Sequence, residues 1–172
     1  MNIINPRIMP FLKGTGICLL ISAVTLASGG CASGFQKACM HGKDPAVISD
    51  YIKKGANPNA PLGAVGLTSL QNAAYYNPNP VIIKALIDEG ADPNGAFVWK
   101  GDVLATPLQL AAFHNQNPAV AQALIDGGAQ VNLIPPAGSV TRIYNYMTPL
   151  AIALSYGKTA MADVLRKNGG HE

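Results

Sequence analysis

Thr106-Pro-Leu-Gln-Leu-Ala-Ala112 is followed by Asn117-Pro118, Leu124-Ile125 and Gly128-Ala-Gln-Val-Asn132. The same order of signals runs from Thr68 through Leu70, Ala73-Ala74, Asn79-Pro80 and Leu86-Ile87 to Gly90-Ala-Asp-Pro-Asn94. Each copy reads as two short antiparallel helices closed by a turn. A unit of that size cannot bury its own apolar face, so it needs copies of itself as neighbours.

Working outward, the register extends to both sides. Phe35, Leu70, Leu108 and Leu150 are equivalent, at intervals of 35, 38 and 42 residues. A hydroxyl side chain suited to accept a backbone N–H stands before each first helix: Ser33, Thr68, Thr106 and Thr148. Proline, whose φ is already helical, follows two of them and also follows Asp44, Asn79 and Asn117 at the start of second helices. Gly55, Gly90, Gly128 and Gly169 then supply left-handed stops. Four units result, at about 33–67, 68–105, 106–147 and 148–170. That meets the minimum of about three repeats for a continuous core.

Thr-Pro-Leu-x-x-Ala-Ala, the Leu-Ile pair and Gly-Ala-Asp-x-Asn resemble the ankyrin repeat. The resemblance implies an all-α solenoid of four helix-turn-helix repeats, with extended hairpin-like finger loops projecting from the stack. Two features depart from the usual pattern. Units one to three have an extra residue between their helices, and the fingers after Asn94 and Asn132 exceed a repeat of about 33 residues. A terminal repeat must be polar outside, and Arg166-Lys167 with Asn168-Gly-Gly170 read as that cap.

Before the repeats stand Arg7 and Lys13, the apolar run Ile17–Ala27 and the small residues Ser28-Gly-Gly-Cys-Ala-Ser-Gly34. A positive end, an apolar core too short to span comfortably and a small-residue zone make a secretory signal. The last part resembles the lipobox of bacterial lipoproteins, with Gly30 before Cys31, although Ser28 stands where that family usually has leucine. The resemblance implies a signal peptide over 1–30, acylation of Cys31 and a repeat domain over 31–172. It further implies a periplasmic protein held on the outer membrane, because Ala32 rather than aspartate follows the cysteine. Conventional cleavage, or an uncleaved anchor, are the alternatives. Cys39 falls where other repeats have Ala74, Ala112 and Leu154, so a packed thiol is expected there; without acylation, a short Cys31–Cys39 bridge is the other option.

Removing Arg7 and Lys13 from the 12 basic residues leaves 10 against 9 acidic ones, no footprint for nucleic acid. Catalytic signals are also missing from the sequence. Gly157-Lys-Thr159 resembles the end of a phosphate loop, but Ile152 stands where that loop needs glycine, so an inter-helix turn is expected. His41 and His114 hold the same place two repeats apart, too far to share a metal, and no metal or other cofactor is implied. No catalytic residues are assigned, and an enzyme is not expected.

What remains is a surface. In ankyrin proteins the two residues after the Ala-Ala pair face the concave side, and here they are Met40-His41, Tyr75-Tyr76, Phe113-His114 and Ser155-Tyr156. Aromatic side chains bring large contact area at low entropic cost. Tyr75, Tyr76, Phe113, His114 and Tyr156 are therefore candidate protein-binding residues. Phe97 and Trp99 on one finger, with Tyr144 and Tyr146 on the next, join them. These rings either form a satellite cluster beneath the fingers or stay exposed as an anchor. The expected activity is non-catalytic: a monomer whose concave face and fingers clamp another protein of the envelope. Two alternatives stand beside it: an immunity protein that neutralises a secreted, envelope-targeting toxin, and a small-ligand-binding or enzyme-accessory protein.

Overall fold

The computed structural model describes residues 34–63, 66–96, 98–99, 102–103, 105–135 and 147–172. Eight helices fall within them: α1 (Gly34–His41), α2 (Pro45–Lys53), α3 (Ser69–Tyr76), α4 (Pro80–Asp88), α5 (Pro107–His114), α6 (Pro118–Asp126), α7 (Pro149–Ser155) and α8 (Thr159–Lys167). The first helices of the pairs, α1, α3, α5 and α7, pack in sequence order as one layer, and α2, α4, α6 and α8 as a second. The expected all-α ankyrin-like solenoid is therefore what the chain forms.

The helix boundaries follow the capping chemistry. Thr68 and Thr106 each close a capping box, their hydroxyls accepting the N–H of Gln71 and Gln109 while those side chains accept the threonine N–H. Thr148 caps α7 through the N–H of Ala151. Asp44, Asn79 and Asn117 cap α2, α4 and α6, each with proline at the first turn. Helices of seven to nine residues are marginal alone, so caps and packing together hold them. Gly55, Gly90, Gly128 and Gly169 all take φ between 84° and 96°, which ends each second helix without a Cβ penalty.

One core runs through all four pairs, from Phe35 and Ile48 through Leu70, Leu86, Leu108 and Leu124 to Leu150 and Leu165. Ala73-Ala74 and Ala111-Ala112 are fully buried where first helices meet, and their small size lets the backbones approach. Cys39 is buried at the same register position. Burial pushes its thiol up to about 12, so it packs as a small apolar group and is not a nucleophile at neutral pH.

Two ladders of side-chain amides stitch the repeats. Asn59, Asn94 and Asn132 each donate to the carbonyl of the next turn (Gly90, Gly128, Gly169) and accept the N–H of Asp92, Gln130 and His171 respectively, all at 2.8–3.0 Å. Residues 169–171 thus fill the place of a further turn. In the second ladder Asn77 donates to the carbonyls of Cys39 and Gly42, and Asn115 to those of Ala74 and Asn77. These carbonyls lie at helix ends, where the last helical acceptors have no partner inside the helix.

The first finger is a hairpin pinned by an antiparallel bridge between Leu62 and Leu67. The second carries a two-residue ladder, β1 (Val98–Trp99) and β2 (Asp102–Val103), with Val98 opposite Val103 and Trp99 opposite Asp102. Hairpin pairing in both fits the expected finger shape.

Candidate functional site

The first-helix layer ends in a row of rings, because the residue six positions after Phe35, Leu70, Leu108 and Leu150 is His41, Tyr76, His114 and Tyr156. Repeat spacing brings them into a line. The ring centroids of His41 and Tyr76 are 6.3 Å apart and those of Tyr76 and His114 6.0 Å, both tilted. Phe113 continues the row, meeting Tyr156 edge-on at 4.8 Å. His41 is exposed, and Tyr76, Phe113, His114 and Tyr156 are half-buried.

His114 is the best-fixed member. Its Nδ1 lies 3.0 Å from the carbonyl of Tyr75, an acceptor, so Nδ1 carries the proton. Its ring stacks on that of Tyr75 at 4.0 Å and 7°. The interaction locks the imidazole and leaves Nε2 as its other polar atom.

Tyr75 corrects the expectation drawn from its neighbour. Its side chain is only 1% exposed and packs with Leu67, Ala105 and Leu110 at the bases of the fingers. It cannot offer contact area to a partner. Tyr76 and Phe113 rest on this same cluster, so the two readings left open by the sequence divide between adjacent residues: Tyr75 is packed beneath the fingers and Tyr76 forms the rim. The backbone of Trp99 lies in β1, while Cys31, Phe97, Tyr144 and Tyr146 lie outside the described residues.

Two sets of residues escaped the sequence reading. The first is Gln36, Gln71 and Gln109, one position after Phe35, Leu70 and Leu108. Gln71 donates to the carbonyl of Gly95 at 2.9 Å and Gln109 to that of Met147 at 2.8 Å, tying the chain at the base of each finger to the helix it caps. Gln36 faces Gly63, where a Cβ would stand 2.9 Å from its amide atoms and φ is +67°. The recurrence of glutamine at one offset was the available signal. Repeat four has Ala151 there.

Lys158 is the second. Each pair is joined by three residues, so the extra residue expected between the helices of units one to three lies instead in their first helices, which have eight residues against seven in α7. Gly157 and Lys158 form the turn of repeat four, and Thr159 opens α8. The missing asparagine of the second ladder is replaced by Lys158, whose Nζ donates to the carbonyl of Asn115 at 2.8 Å. Desolvation lowers its pKa to about 8. Its backbone caps α8 without a side-chain bond.

Among the described residues no group of three or more His, Cys, Asp or Glu side chains could hold a metal, and no helix is long and apolar enough to cross a membrane. The arrangement offers contact surface, with Gln71, Gln109, Lys158 and Nδ1 of His114 engaged on backbone carbonyls.

Residues 35–135 match the family model for ankyrin repeats, in three copies. The crystal structure of the human ASB11 ankyrin repeat domain superposes with a TM-score of 0.61 and 24% sequence identity over 80% of this chain. This chain spans about half of that one, 54%. No curated protein matches.

Proposed function

Because the chain belongs to the ankyrin-repeat family, whose repeats generally mediate binding between proteins, we propose that it is a non-catalytic binding module of the bacterial cell envelope. Its partner is another protein, held against the concave face and the fingers. The observation that carries this reading is the ring row from the exposed His41 to Tyr156, whose other members are half-buried, running across four repeats. Tyr75 is wholly buried, whereas Tyr76, Phe113, His114 and Tyr156 are only half-buried and keep part of each ring at the surface. Aromatic side chains on a rigid scaffold are the composition of interface anchors.

The envelope placement rests on the sequence features before the repeats, with Cys31 as the acylated residue. Loss of fatty-acid labelling in Cys31→Ser is the expected result, and labelling that persists refutes the anchor. The binding role is tested by crosslinking pull-down from envelope extracts. Tyr76→Ala with Phe113→Ala removes the captured protein while the fold stays intact. Capture that is unchanged in this folded variant rules out the inner face.

A further inference from the structure

We propose that the inner-helix face takes an acidic segment of its partner, a stretch in which aspartate or glutamate alternates with apolar side chains. The inference rests on the binding role proposed above and adds the chemistry of the occupant.

The distribution of charge carries it. The sequence has nine carboxylate residues, and none lies on α1, α3, α5 or α7. Those on the opposite layer are engaged locally: Asp50 with Lys54, Asp88 with Lys84 and Asp163 with Arg166, while Asp126 accepts from the amide of Gln122. Asp44 and Asp92 are taken up by the N–H groups of Ala46 and Asn94. The first-helix layer, by contrast, carries a lysine, Lys37, and two histidines, His41 and His114, with no carboxylate. Lys37 is exposed and holds the register position of Leu110, which faces the cluster beneath the fingers.

Nδ1–H of His114 is given to the Tyr75 carbonyl, which fixes that ring within the row. A positive face meeting a negative partner steers encounter and rejects partners of the wrong sign. The half-buried rings of the row supply the apolar contact that the segment's other residues need. Rings also attract cations, but a basic segment would have to approach Lys37 as a like charge and would find no carboxylate on these four helices to pair with.

The test is selection of random 12-residue peptides displayed on phage, panned on the purified full chain and on its Tyr76→Ala/Phe113→Ala variant. Peptides retained by the wild type and lost by the variant should be enriched in Asp and Glu beside Leu, Phe or Ile. Lys37→Glu should weaken them at least tenfold by fluorescence polarisation, and His114→Gln should weaken them less. Peptides without an acidic excess, peptides rich in Lys or Arg, or affinities indifferent to Lys37→Glu overturn the inference while leaving the binding face in place. Recovery of the same peptides by both proteins, or no enrichment at all, removes the binding face itself and the inference with it. Lys37 is exposed, so a folded Lys37→Glu protein keeps the result interpretable even if the His114 variant unfolds.

Discussion

Asn77 and Asn115 on one side of the first-helix ends, and Tyr76 and His114 on the other, repeat with the same spacing and lie within two residues of each other, yet do different work. The amides are buried and satisfy carbonyls of the preceding repeat. The rings are half-exposed and touch their counterparts only edge to edge or tilted. Periodicity alone therefore does not mark function: a repeated residue is structural where the backbone needs its hydrogen bonds, and can offer contact area where part of it stays at the surface. Tyr75 and Tyr76 give the same lesson with chemistry held constant.

The largest expected effect tests that pair directly. Tyr75→Ala should lose about 4 kcal/mol of stability by urea unfolding, as for other buried aromatics; a loss near zero would return Tyr75 to the surface. Asn115→Leu comes next at about 3 kcal/mol, since it strands the buried carbonyls of Ala74 and Asn77. Equal stability with wild type would show that water replaces the ladder. Gln109→Leu should cost about 1.5 kcal/mol through the capping box and the Met147 tether, and should speed proteolysis in the finger before α7. Tyr76→Ala should stay within about 1 kcal/mol; a larger loss makes the ring row part of the core.

The smallest effect concerns Lys158, which stands in for asparagine at the end of the second ladder. Its folded pKa, about 8, is below the ordinary 10.5, so between those values the unfolded chain binds a proton that the folded chain has released. Stability should then rise as pH climbs from about 8 toward 10, and below pH 8 the full cost of a desolvated ammonium is present. Because the amine is only half-buried, solvent screening keeps the rise below about 1 kcal/mol. Lys158→Met should flatten it in a series of unfolding curves; an unchanged slope assigns the rise to another group.

Much of the fold was legible because its signals are local. Thr68, Thr106, Thr148, Asn79, Asn117 and the four stop glycines act on backbone within a few residues, and each is found where its chemistry requires. The candidate site was legible in outline, as a row at a fixed offset. Its sorting into packed and available rings was not, because exposure depends on Leu67, Ala105 and Leu110, brought together from two finger bases and a helix.

By itself, then, the sequence determined the helix pairs, their number and their stacking, since caps, stops and apolar period are short-range properties repeated in register. Only the tertiary structure decided that Tyr75 is core and Tyr76 rim, that glutamine anchors fingers, and that Lys158 ends an asparagine ladder. Those outcomes depend on contacts across 24 to 43 residues of chain, whose partners no local pattern names.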